Sequence, residues 1–130
     1  LSTDVLAKAR LGIYAEELVE PVPAALRRKY VLQAADAARR EVRVTAALRS
    51  KVGFARMNLM DASYPISEPM HLIFCRNVLI YFDKKTQGEV LHRLCRCLVP
   101  GGYLFIGHSE TIAGLDLPVR TVANTVFQRI

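Results

Sequence analysis

Two apolar runs of strand length bracket one amphipathic helix, and this arrangement narrows the fold more than any other feature of the chain. Met70-His71-Leu72-Ile73-Phe74-Cys75 is nearly continuous in apolar residues, as suits a strand buried on both faces of a parallel sheet. Asp83 is placed to cap the helix that follows. Gln87, Val90, Leu91, Leu94 and Leu98 fall at helical spacing on one face of that helix. Pro100-Gly101-Gly102 is expected to end it, and Tyr103-Leu104-Phe105-Ile106-Gly107 reads as a second buried strand. Strand, helix, tight turn and strand make a βαβ unit, whose crossover is expected to be right-handed. The fold class is therefore α/β. Beyond Pro118, Val119 to Ile130 reads as a terminal antiparallel hairpin that turns at Ala123-Asn124.

The first half gives weaker signals. Ser2-Thr3-Asp4 ahead of Val5, Leu6 and Ala9 predicts a helix start, with hydroxyls for the cap and an acid in the first turn. Gly12 predicts its end. Ala15 to Glu20 suits a helical turn before Pro21 and Pro23, and Ala24 to Lys29 a second short helix. Tyr30-Val31-Leu32 and Val42-Arg43-Val44-Thr45 have strand composition, so residues 30–45 are read as a small hairpin with an intervening loop. Gly53 to Leu59 predicts one more strand, and residues 65–69 a loop.

With 130 residues, 52% hydrophobic and 23% charged, the chain has the composition of one globular domain or a piece of one. No apolar run approaches the ~20 residues of a membrane span, so no membrane insertion is expected. Leu1-Ser2-Thr3-Asp4 offers neither the charged nor the apolar region of a signal peptide, and no initiator Met stands there. The chain is accordingly expected to be part of a longer, cytoplasmic protein. Three cysteines cannot close a disulfide framework, and His71, His92 and His108 are too scattered for a zinc site, so no metal is expected. The net charge of +6 is unevenly spread. Residues 27–56 hold nine basic side chains against Asp36 and Glu41. Such a local positive field favours an acidic partner, a nucleic acid or an acidic protein surface.

Open α/β sheets bind ligands at the carboxyl ends of their strands. Three such ends carry polar residues: Asn58 with Leu59, Arg76 with Asn77, and Gly107-His108-Ser109-Glu110. Asn77 is also read as plain turn chemistry. His, Ser and Glu side by side suggest a hydrolase, but triad members come from separated loops, and Ser109 lacks the Gly-x-Ser-x-Gly frame of a nucleophile elbow. A hydrogen-bonded loop is the better reading there. The seven glycines form neither G-x-G-x-x-G nor a P-loop, so a nucleotide-type site built from this chain alone lacks its glycine-rich floor.

Phe74-Cys75-Arg76-Asn77-Val78-Leu79-Ile80-Tyr81-Phe82-Asp83, followed by Pro100-Gly101-Gly102-Tyr103-Leu104-Phe105-Ile106-Gly107-His108-Ser109-Glu110, strongly resembles the bacterial chemotaxis receptor methyltransferases, the CheR family. Leu1 to Tyr14, with Thr3, Leu6, Ala9 and Arg10 leading to Gly12-Ile13-Tyr14, supports the match. The resemblance implies a class I S-adenosylmethionine-dependent methyltransferase sheet, Rossmann-like, of which this chain is the C-terminal portion with a small inserted β-subdomain near residues 30–45. It implies methylation of glutamate side chains on chemoreceptors, giving methyl esters and S-adenosylhomocysteine. The family's glycine-rich loop and its ribose-binding acid would then lie upstream of Leu1, and the isolated chain is expected to be inactive.

The family's cofactor-contacting pairs fall on Asn58-Leu59 and Arg76-Asn77, and the aromatic lining its methyl-transfer site falls on Tyr81, which as a bare residue also reads as a core aromatic. The partner implied is the cytoplasmic domain of a chemoreceptor, with Arg39, Arg40 and Arg43 of the subdomain placed where some members grip a receptor peptide. The loop there holds no glycine, unlike in those members. The rival reading is a basic binding module without catalysis, contacting nucleic acid or a receptor through residues 27–56. It lacks the interleaved aromatics of single-strand binders.

Overall fold

The computed structural model describes residues 3–130, and Ala37 by its backbone alone. The chain divides into two compact units, Leu1–Arg56 and Met57–Ile130.

The first unit opens with helix α1 (Thr3–Leu11), which carries Asp4 in its first turn and Lys8 and Arg10 in its last, signs that suit the helix dipole. The capping hydroxyl expected at Ser2 lies outside the described residues. Gly12 ends α1 at φ 64°, a left-handed backbone that glycine adopts without strain. Strand β1 (Ile13–Ala15) follows, then a 3-10 turn over Glu16–Val19, helix α2 (Ala24–Tyr30), strand β2 (Val31–Gln33), a 3-10 turn over Ala37–Arg39, strand β3 (Glu41–Val44) and helix α3 (Ala46–Arg49). The expected hairpin exists: β2 and β3 pair antiparallel, with Leu32 opposite Arg43. It is not alone. Ile13–Ala15 pairs with the other edge of β3, giving a three-stranded sheet in the order β1-β3-β2 that reaches beyond residues 30–45. Three residues carry too little pattern to announce a strand; pairing with β3 makes them one. Among the described residues of this unit, Val42, in the central strand, is the fully buried hydrophobic one.

In the second unit, strand β4 (Met70–Cys75), helix α4 (Lys84–Arg96) and strand β5 (Leu98–Ile106) form the expected βαβ element, and β4 and β5 pair in parallel. Strands β6 (Val119–Ala123) and β7 (Val126–Arg129) form the terminal hairpin, turning through Asn124 and Thr125. The sheet order is β4-β5-β7-β6, mixed parallel and antiparallel. Asp83 caps α4 by accepting the Thr86 amide N–H at 2.8 Å, which holds its carboxyl below the usual range. Val90, Leu91, Leu94 and Cys95 of α4 pack with Leu98, Leu104, Ile106 and Phe127 into one core.

Four expectations are corrected. Gly53 to Leu59 is not a strand: residues 52–58 have strand composition but no strand pairing, and a strand exists only as part of a ladder. Leu98 belongs to β5 and not to α4, which ends at Arg96 with Cys97 as its cap. Pro100-Gly101-Gly102 lies within β5 as an irregularity, the register stepping from Met70 opposite Leu98 to Leu72 opposite Tyr103. Gly102 sits tightly there: a Cβ would meet the Val99 and His71 carbonyl oxygens at 3.0 and 3.1 Å, so the backbone would have to give by a few tenths of an ångström to admit a side chain. Finally, β4 is an edge strand and is not buried on both faces. Met70, Leu72 and Phe74 are exposed, Phe74 stacking on Phe105 with ring centroids 4.5 Å apart.

Candidate functional site at the strand ends

Arg76 and Asn77 stand exposed just past the carboxyl end of β4. Asn77 has φ 58°, a left-handed conformation that asparagine tolerates better than most residues. A 3-10 turn, Leu79–Tyr81, follows at once. Leu79 points into the core and anchors the turn, while Tyr81 is 80% exposed, so it is not a core aromatic.

This turn is held from two sides by residues whose part was not legible in the sequence. The first is Glu110, the buried carboxylate just beyond β5. Its Oε1 accepts the amide N–H groups of Val78 and Leu79 at 2.8 and 2.7 Å, and its Oε2 accepts that of Gly107 at 2.5 Å. Burial pushes the carboxyl up, but hydrogen bonds from the backbone of Gly107, Leu79, Val78 and Asn77 outweigh it, and the net direction is down. The second is Gln87 on α4, whose Nε2 donates to the carbonyls of Leu79 and Phe82, each at 3.0 Å. Helical spacing put Gln87 on the apolar face of α4; the turn it caps explains a polar residue there. Gly107 completes the junction: a Cβ built on it would lie 2.5 Å from Asn77 Oδ1 and 2.8 Å from Glu110 Oε2.

The hydrogen-bonded loop expected at His108-Ser109-Glu110 is what forms. The Glu110 oxygens are taken by backbone N–H groups, and His108 and Ser109 are exposed. Cys75, next to this junction, is buried, and burial with the nearby Glu110 charge pushes its thiol up to about 11.

Asn58 and Leu59 lie in the same unit, in a turn. Asn58 Oδ1 accepts the Met60 N–H at 3.1 Å and its carbonyl that of Asp61 at 3.1 Å. The Leu59 carbonyl accepts the Tyr64 hydroxyl at 2.9 Å and an Arg93 guanidinium N–H at 3.3 Å, which ties the pair to α4. Asn58 remains exposed, and Leu59 packs against the core.

The CheR methyltransferase, SAM binding domain, matches residues 1–127. The chain belongs to this family. It is 40% identical over 127 residues to chemotaxis protein methyltransferase 2 of Pseudomonas aeruginosa, covering 98% of this chain and 45% of that protein. It is 42% identical over 128 residues to the chemotaxis protein methyltransferase of Escherichia coli, covering 98% and 44%. With the protein of that name from Borreliella burgdorferi the identity is 43% over 114 residues, covering 88% and 39%. The chain thus spans less than half the length of these curated relatives.

The family description makes S-adenosylmethionine the ligand against which the polar residues of this unit are to be tested. The donor set fits its adenosyl part. Asn77 is an exposed carboxamide with a donor and an acceptor side by side, the pairing that an adenine edge presents, and the exposed Asn58, its Oδ1 accepting from Met60, keeps its NH2 group as a donor. In the first unit, Arg39 and Arg43 line a cavity of about 500 Å³ with Ile13, Leu32, Gln33 and Asp36. Arg40, at φ 47°, supplies the left-handed turn for which the loop has no glycine. It reaches Glu17 at 3.5 Å, while Arg39 pairs with Asp36 at 3.8 Å and Arg43 donates to the Leu11 carbonyl at 3.2 Å. No helix among the described residues is long and apolar enough to cross a membrane.

Proposed function

We propose that the protein carrying this chain methylates glutamate side chains on chemoreceptors in the cytoplasm, using S-adenosylmethionine. The observation that carries the reading is the near-complete match of these 130 residues to relatives named chemotaxis protein methyltransferases. The cofactor supplies an electrophilic methyl group on a sulfonium.

The residues of this chain act by placement. Asn77 and Arg76 at the end of β4, and Asn58-Leu59 in its tethered turn, would bind the cofactor. Tyr81, exposed on the turn beyond Asn77, orients the incoming carboxylate by donating from its hydroxyl. A carboxylate is already a nucleophile near pH 7, so no general base is required. Tyr81 would hold that carboxylate toward the methyl group that the cofactor, held by Arg76, Asn77, Asn58 and Leu59, would supply. Positioning and exclusion of water carry the rate, contributing up to ~7–11 kcal/mol in favourable cases.

Arg39 and Arg43, on the wall of the subdomain cavity, suit an acidic receptor segment. Their ion pair and hydrogen bond are at the exposed surface, where such contacts contribute ~0–1 kcal/mol and yield readily to a partner.

The test is methyl transfer from methyl-labelled S-adenosylmethionine to a purified receptor cytoplasmic domain by the complete protein. Base-labile label released as methanol, and lost when the receptor glutamates are changed to alanine, is the expected result. Label that is stable to base would overturn the ester assignment. The 130 residues alone, with no G-x-G-x-x-G, are expected to bind the cofactor weakly in calorimetry.

The basic-module reading finds less support. The relatives that match nearly all of this chain are named methyltransferases, and no observation among the described residues favours a phosphate backbone over an acidic protein segment at these arginines.

A further inference from the structure

We propose that Glu110 is the positioning residue of the cofactor site, setting the Arg76-Asn77 turn through its backbone; the inference rests on the reading that this turn binds S-adenosylmethionine. Glu110 is buried, and both its side-chain oxygens are engaged by backbone N–H groups. Its two oxygens collect N–H groups from both strand ends, those of Val78 and Leu79 after β4 and that of Gly107 after β5. One side chain therefore fixes the separation of two strand ends and holds Asn77 at its left-handed φ of 58°. The carbonyl side of the same turn is held by Gln87, so the turn is held through both its N–H groups and its carbonyls.

The carboxylate is required, not merely a polar group of its size. The hydrogen-bond partners of its side chain are N–H donors, and a carboxylate meets them with two acceptor oxygens. A glutamine brings one oxygen and one NH2 group, so a donor would face either Gly107 or the Val78–Leu79 pair. Aspartate keeps both oxygens but falls one methylene short.

The experiment compares Glu110→Gln, Glu110→Asp and Leu91→Ala in the complete protein, at a temperature where each is folded. Leu91 is a buried core residue of α4 outside the proposed site, so its truncation measures what general destabilisation does. Cofactor affinity is read by calorimetry, receptor KM by methylation kinetics, and the junction by amide exchange at Val78, Leu79 and Gly107. Glu110→Gln is expected to weaken cofactor binding roughly ten- to a hundredfold, the scale of one or more hydrogen bonds to a charged group. Receptor KM should stay within about twofold and amide exchange should rise at the three positions, since only the turn is disturbed. Glu110→Asp should fall between Glu110→Gln and wild type, and Leu91→Ala should lower the melting temperature with cofactor affinity unchanged. If Glu110→Gln does not fold, Glu110→Asp is judged by the same criteria. Faster amide exchange with unchanged cofactor affinity would overturn the proposal and leave Glu110 a structural clasp. Failure of the wild-type protein to bind S-adenosylmethionine would overturn the underlying reading, and the proposal with it.

Discussion

Glu110 Oε1 accepts the Leu79 amide N–H at 2.7 Å, joining two residues 31 positions apart in the chain. The bond makes the stability of the second unit depend on an ionised carboxylate. Since the folded state holds the Glu110 carboxyl below its ordinary value, its contribution is complete above the ordinary carboxylate range and is lost as pH falls through the lowered value. Asp83, lowered by its bond from Thr86, adds to the slope in the same direction. Melting temperature should therefore fall as pH drops below about 4.3, the ordinary Glu value. Glu110→Gln should melt lower at neutral pH and show a shallower acid slope. An unchanged slope in the variant would show that the carboxylate is not ionised in the fold.

Gly107→Ala tests the closeness of the two strand ends. The added methyl would meet Asn77 Oδ1, Glu110 Oε2 and the Asn77 amide nitrogen within 2.9 Å. The last of these is backbone, so the turn has to move. A cost of ~1–3 kcal/mol, typical of overpacking, is expected in denaturant melts, together with weaker cofactor binding. Gly114→Ala probes a different case: open space surrounds that position, but φ is 77°, so only backbone strain is added.

The βαβ element was legible because its signals agree at every level: continuous apolar strands, a capping Asp83, and Val90, Leu91 and Leu94 at helical spacing. The strand-end pair Arg76-Asn77 followed from the general rule for open α/β sheets. What failed depended on partners distant in the chain. Ile13–Ala15 became a strand only by pairing with Glu41–Arg43. Residues 53–59 did not become one, because composition supplies no ladder neighbour. Leu98 kept helical spacing by coincidence while belonging to β5. Glu110 was visible as part of a loop, but its role depends on amides 31 and 32 residues away, which no local pattern records. One signal was available: a carboxylate following an apolar strand and two small or polar residues beyond a glycine is well placed to turn back onto the strand end.

The edge position of β4 predicts self-association of the isolated 130 residues. Leu72 and Phe74 are 53% and 65% exposed on a strand with an unpaired edge, and such edges recruit other strands. Sedimentation at rising concentration should show dimers or larger species. Phe74→Lys, which puts a charge on that edge, should shift the population toward monomer. A wild-type chain that stays monomeric at high concentration would count against this edge as an adhesive surface.

Tyr81→Phe and Asn77→Ala should divide the reaction between them in the complete protein. Tyr81 lies four residues beyond Asn77, at the end of the Leu79–Tyr81 turn. Its hydroxyl is the only polar side-chain group from Val78 to Phe82. At 80% exposure it packs little against the fold, so its removal should leave stability nearly unchanged. If the hydroxyl holds the receptor carboxylate in the transition state, its loss removes one hydrogen bond to a charged group, about 1.5–3 kcal/mol. The single-turnover rate should then fall roughly ten- to a hundredfold with cofactor affinity intact. Asn77 sits at the strand end where ligands dock in this sheet type, and its alanine variant should weaken cofactor binding first, leaving the rate at saturating cofactor less affected. Alanine also tolerates φ 58° less well than asparagine, so Asn77→Gly is the companion variant: it removes the carboxamide without the backbone strain and should lose the same affinity. Equal single-turnover rates for Tyr81→Phe and wild type would take the hydroxyl out of the mechanism. Full affinity in Asn77→Gly would take the carboxamide out of the cofactor site and leave the turn's backbone as what binds.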